Sequence, residues 1–173
     1  MLFRSSSVDP VSNAQGVAPG VKILPVRIIG DEQTGFLSNA AAGIRYAVDN
    51  GARVLSSSWR VYKSWAAFDP SDANLQLLKE AIQYAGEHGA IFVAAAGNES
   101  LDMDKLLVND PLYPAGFQGL NNMIVVAASD QKGDRAYFSN YGENYVSVAA
   151  PGDEIISTIP GGSWESKIGR AHV

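Results

Sequence analysis

The stretch Val93-Ala94-Ala95-Ala96-Gly97-Asn98-Glu99 runs from small apolar residues straight into a carboxamide and a carboxylate. A second stretch, Ser56-Ser57-Ser58-Trp59-Arg60, ends on hydroxyls, an indole and a guanidinium. Both place polar groups immediately after an apolar run, where a ligand can be held against a rigid scaffold. A nucleotide phosphate is one candidate ligand for a glycine-bearing strand end. No G-x-G-x-x-G and no G-x-x-x-x-G-K-[ST] occurs in the chain, so the backbone cradle that phosphates require is missing. Gly97 is a single glycine, and the Asn-Glu after it would turn negative charge toward a phosphate. The alternative for Ala94–Gly97 is purely structural, with small side chains allowing a helix to pack closely on a sheet. Neither reading by itself says why Asn98 has no bulk beside it.

The elements that must position these residues alternate along the chain. Apolar, β-branched runs at 21–28, 53–58, 90–96, 122–129, 145–152 and 155–159 predict strands. Between the first two, Ala40, Ile44, Ala47 and Val48 recur at helical spacing from Phe36 to Asp49, and Asn50-Gly51 supplies a stop signal. Ser71 is placed to cap a longer helix with Leu75, Leu78, Ile82 and Ala85 on one face, closed by His88-Gly89. Strand-helix-strand alternation with apolar strands predicts an α/β fold. Its expected form is a mainly parallel sheet in a three-layer αβα arrangement. Ligands of such sheets sit beyond the carboxyl ends of the strands, which is where Ser58-Trp59-Arg60 and Ala95–Glu99 fall. Residues 99–118, rich in Asp, Pro and Gly, form the longest expected loop, a length usually tied to function or motion.

Composition narrows the classes. With 173 residues, 46% apolar and 18% charged, the chain can bury a core and is not disordered by composition. A net charge of −5 without a basic stripe excludes a nucleic-acid footprint. There are no cysteines, hence no disulfide, zinc-thiolate site or cysteine nucleophile. No stretch approaches the length of a membrane-spanning helix. Residues 8–166 read as one domain, and 1–7 and 167–173 as added tails by their composition.

The segments GVAPGVKILPVRI, VLSSSWR, HGAIFVAAAGNE, LYPAGF, MIVVAAS and AYFSNYGENYVSVAAPGDEIISTIPGG resemble, in this order, those of subtilisin-like serine proteases. That resemblance covers about residues 8–166 and implies a partial subtilisin-like fold. It makes Asn98 the side-chain donor to the oxyanion of a tetrahedral intermediate. Ala95, Ala96 and Gly97 become one wall of the specificity pocket, and Ser58-Trp59 the edge that pairs with a polypeptide substrate. Arg60 stands where the family carries glycine, which would obstruct the groove or attract acidic residues. Glu99, at the pocket rim, would select basic residues if it is not simply solvated. No cofactor is required for this chemistry. A structural calcium is possible in a parent enzyme through the carbonyl loop Asp110–Gly116, whereas Asp102, Asp104 and Asp110 read as a solvated acidic loop. The family also implies a secreted or extracytoplasmic parent.

The triad is a departure. The family's D-[ST]-G, H-G-T-like and G-T-S-x-A motifs are absent from these 173 residues. Of the two histidines, His88 lies at a helix-to-strand turn and His172 in the tail; Asp31, Ser163 and Ser166 lack the motif neighbours. The expectation is the central part of a subtilisin-like endopeptidase, inactive alone. The alternative is a non-catalytic α/β binding or scaffold domain. In the family, the strand bearing the catalytic aspartate lies between those matched by 21–28 and 53–58. Without it, exposed strand edges and an uncovered sheet face predict self-association.

Overall fold

The computed structural model describes residues 18, 20–30, 35–61, 72–106, 112–159 and 163–167. Helix α1 (Leu37–Asp49) buries Ala40, Ala41, Ile44 and Ala47, which share one face at i, i+3 and i+4 spacing. It stops at Asn50, and Gly51 takes a left-handed φ of +86° that an L side chain rarely adopts. Helix α2 (Ala73–Glu87) buries Leu75, Leu78, Ala81, Ile82 and Ala85 in the same pattern. Its N-cap is Asp72, whose carboxylate accepts the Asn74 N–H at 2.7 Å. The expected cap, Ser71, lies outside the described residues, and Asp72 performs the same chemistry one position later.

The two helices pack on each other through their alanine-rich faces. At their exposed rim Tyr84 Oη donates to Asp49 Oδ1 at 2.6 Å and the Arg45 guanidinium lies 4.6 Å from the Tyr84 ring. The hydrogen bond to Asp49 holds the Tyr84 phenol above its ordinary pKa.

Strands β1 (Val54–Ser57), β2 (Ile91–Ala95), β3 (Met123–Ser129) and β4 (Val148–Pro151) form one sheet in the order β1-β2-β3-β4, every pair parallel. The register places Leu55 beside Phe92 and Phe92 beside Met123. Because side chains alternate, one face carries Leu55, Phe92, Ala94, Val125 and Ala127, all buried in a single cluster with the helices. Asn122 fastens helix to sheet, its Nδ2 donating to Ile82 O (2.9 Å) and Ala90 O (3.2 Å). The other face carries Val54, Ile91 and Val148, exposed by 63%, 42% and 49%. A parallel sheet is normally covered on both faces, so this exposure marks a surface that the described residues leave open.

Two expected strands behave differently. Residues 21–28 form no strand and have no ladder partner among the described residues, and Val21, Ile23 and Leu24 are exposed. Val26 and Ile28 lie against Gly43 of α1, where a Cβ would meet Ile28 Cγ2 at 2.7 Å. The segment therefore follows the helix, and among the described residues nothing pairs it with β1. A strand needs a neighbour to exist as one, and apolar composition alone does not supply it. The last strand, β5 (Ile155–Ile159), leaves the parallel sheet and forms a separate antiparallel ladder with β6 (Ser163–Lys167). Residues 152–154 are too few to cross back parallel to β4, a connection that takes a dozen or more residues. A hairpin is the arrangement left.

Candidate active site

The carboxyl ends of β1 to β4 surround a cavity of about 230 Å³. Ser58, Ala95, Ala96, Gly97 and Asn98 all line it, so the parallel register brings together five of the eight candidate residues from two separate strand ends. Trp59 instead packs its ring, partly buried, against the core. Ala94 and Ala96 are 0% and 1% exposed and face the helices, so part of the small-residue run serves close packing. Ala95 is only half-buried, on the opposite face of β2.

Gly97 has a different reason to be small. Its φ is +109°, and a Cβ there would overlap the Asn140 amide nitrogen and lie 2.7 Å from Glu99 Oε2. The turn after β2 is built around those two side chains. Asn140 is fully buried, and its carboxamide makes four hydrogen bonds. Oδ1 accepts from Glu99 N (3.0 Å) and Leu101 N (2.9 Å); Nδ2 donates to Ala96 O (2.9 Å) and Glu99 Oε2 (2.8 Å). Its backbone N–H adds a bond to Gly97 O at 3.0 Å. The neighbouring Ser139, also fully buried, accepts the Ala128 N–H at its Oγ, 2.8 Å away, and so fastens β3 as Asn140 fastens β2. Phe138-Ser139-Asn140-Tyr141-Gly142 belong to the last segment that carries the family resemblance, and their types alone point to no role. Their task is to lock the strand ends that present Asn98.

The backbone N–H of Asn98 donates to Glu99 Oε2 at 3.0 Å. Residue 98 is thereby held through its main chain at the wall of the cavity. Glu99 is not a solvated rim charge. Its Oε1 lies 3.0 Å from Arg60 Nη1, and the two side chains are 22% and 18% exposed. The departure at residue 60 and the carboxylate at residue 99 are one feature, an ion pair bridging the segments that follow β1 and β2.

The triad-type residues that are described do not join this site. His88 caps α2 beside the amino end of β2, its ring 4.0 Å from that of Tyr84 and its Nδ1 2.8 Å from the Tyr84 carbonyl. That is the opposite end of β2 from Asn98, and the structural reading of His88 holds. Ser163 and Ser166 belong to β6, paired only with β5. Asp31 and His172 lie outside the described residues.

Among the described residues no three His, Asp or Glu side chains gather in one group. In the carbonyl loop, the Leu112, Tyr113 and Pro114 carbonyls accept from Gly116, Val61 and Phe117. Asp104 accepts the N–H groups of Glu143 and Asn144 at 2.7 and 3.1 Å. Asp102 pairs with Lys105 at 2.8 Å, and that hydrogen bond holds its carboxyl below the usual range. Asp110 lies outside the described residues, and no described helix is long and apolar enough to cross a membrane.

A parallel α/β sheet with an amide at the end of β2 is the arrangement that the resemblance implied, and comparison with known proteins agrees. The subtilase family model matches residues 6–171, and the chain belongs to that family. It is 39% identical to fervidolysin of Fervidobacterium pennivorans, covering 84% of this chain and 19% of that protein. Thermitase of Thermoactinomyces vulgaris is 37% identical, with 89% and 48% covered. Among solved structures, the epidermin leader peptide processing serine protease of Staphylococcus aureus superposes with a TM-score of 0.77 at 25% identity. The match covers 92% of this chain and 46% of that one. The chain thus spans about a fifth to a half of the length of these relatives.

Proposed function

We infer that this chain forms the oxyanion and substrate-binding part of a subtilisin-like serine endopeptidase whose Asp-His-Ser triad is supplied by polypeptide outside these residues. The observation that carries this reading is Asn98. The residue lines the cavity at the strand ends, and its backbone is fixed by Glu99, itself held by Asn140. In the proposed reaction a serine Oγ bonds to the scissile carbonyl carbon and gives its proton to a histidine. The carbonyl π pair moves onto oxygen. Asn98 Nδ2 donates to that oxyanion, a charge larger in the transition state than in the ground state. Collapse of the intermediate expels the amine, which takes the proton back from histidine. No cofactor enters these steps. A polypeptide is the substrate of this reading, in keeping with the leader peptide processing named for the structural relative, and the parent enzyme is secreted or extracytoplasmic.

The test has two arms. The 173-residue chain alone should neither cleave peptides nor take up an organophosphonate serine probe above a denatured control. The same chain extended by segments carrying the three family motifs should do both. Labelling of the chain alone would refute its predicted inactivity. Continued inactivity of the extended protein, with peptide binding retained, would favour the second reading, a non-catalytic binding domain, which rests on the missing triad motifs.

A further inference from the structure

We propose that Asn140 is a positioning residue for the reaction, holding Asn98, the oxyanion donor, in place through the Glu99 carboxylate. This rests on the endopeptidase reading above. The turn that carries Asn98 does not hold itself. Gly97 at φ +109° and Ser100 at φ +56° are both left-handed, and a serine adopts that conformation only where its surroundings impose it. The segment 138–141 imposes it. Asn140 N donates to Gly97 O at 3.0 Å, Ser100 N to Phe138 O at 2.7 Å and Tyr141 N to Leu101 O at 3.0 Å.

Inside this strap the Asn140 side chain is 0% exposed. Its Oδ1 faces two donors, Glu99 N and Leu101 N, and its Nδ2 faces two acceptors, Ala96 O and Glu99 Oε2. A carboxamide offers that complement of donors and acceptors in one orientation only. Turned over, it would set its NH2 against two N–H groups and its oxygen against a carbonyl and a carboxylate. Aspartate has the same shape but would turn a carboxylate oxygen onto Ala96 O and Glu99 Oε2. Glu99 Oε2 is where this network reaches residue 98, since the same atom accepts from Asn140 Nδ2 at 2.8 Å and from Asn98 N at 3.0 Å. Two hydrogen bonds thus join the buried amide to the main chain of the proposed donor. Such a donor must be held within about 0.5 Å of its productive place, and a misplacement of about 1 Å can cost about 10²-fold in rate.

The test measures kcat of the full-length protein on a peptide p-nitroanilide, per active site counted with the organophosphonate probe, so that misfolded molecules do not enter. Asn140→Asp and Asn140→Ala should each lower kcat about ten- to a hundredfold, with little change in KM. Placed in an Asn98→Ala background, the same substitutions should cost less than about twofold, because the donor they displace is already gone. Glu99→Ala leaves Asn140 intact and removes the atom that joins it to residue 98. It should give the same loss and the same non-additivity, and it carries the test if neither Asn140 variant folds. A kcat unmoved by these variants, or lowered by the same factor with and without the Asn98 amide, would overturn the positioning role and leave the endopeptidase reading intact. An Asn98→Ala protein with undiminished kcat would strike the oxyanion reading first, and the proposal with it.

Discussion

Asn98 and Gly97 are adjacent, yet they should fail in different ways when changed. In the proposed reading Asn98 acts through its side-chain amide, so in the extended enzyme Asn98→Ala should lower kcat with little change in KM, because the amide acts on charge formed only in the transition state. The expected loss is about 10²–10³, a magnitude taken from a subtilisin asparagine in the same role. Steady-state kinetics checks it, and an unchanged kcat would make Asn98 a packed strand-end residue. Gly97→Ala should instead destabilise the fold by about 1–3 kcal/mol, since an L residue at φ +109° is strained. Its Cβ would also displace the Asn140 amide, which is bonded to four partners. A thermal melt of the chain itself reads this loss, and an unshifted midpoint would mean that the turn relaxes freely. The small residues around Asn98 thus have two causes. Gly97 makes room for the protein's own amide and carboxylate, and Ala94 and Ala96 for the helices.

At the scale of elements, helix α2 is the clearest case of local sequence agreeing with tertiary packing. Its apolar residues recur on one face, its start carries a capping carboxylate and its end a glycine at φ +73°. Asp72→Ala should cost about 0.5–2 kcal/mol by leaving the Asn74 N–H without its acceptor, measurable in the denaturant midpoint at constant slope. An unchanged midpoint would place the cap elsewhere. Periodicity made α1, α2 and the cores of β1 to β4 legible, because each buries a face that its own residue pattern defines. Residues 21–28 were misread as a strand, since an apolar extended segment reads alike whether it pairs with a neighbour or lies along a helix. The antiparallel pairing of β5 with β6 depends on the short link 152–154, a matter of reach rather than propensity.

Across the whole molecule, the sheet is asymmetric. One face is closed by α1 and α2, and on the other Val54, Ile91 and Val148 remain exposed. Among the described residues β1 has β2 as its only ladder partner, so its outer edge is unpaired. Unpaired edges and open apolar surface both favour association. The isolated chain should therefore form dimers or larger swapped assemblies, while the extended enzyme should be monomeric. Light scattering across a dilution series, with a dye reporting apolar surface, distinguishes the cases. A monodisperse monomer that binds no dye at any concentration would show that the open face closes on itself.

The sequence by itself determined the alternation of strands and helices, the parallel sheet, and the placement of Asn98 and Ser58 at strand ends. Those follow from residue period and chain order, which are local properties. It also carried the motifs that mark the subtilase family. Only the tertiary structure decided that Arg60 and Glu99, 39 residues apart, neutralise each other, and that Asn140 rather than a substrate fills the space beside Gly97. Both contacts are made across the sheet, between segments joined by long crossovers. The charge of one side chain says nothing of its partner until the register of β1 on β2, and of the turn after β2 on residues 138–141, is set.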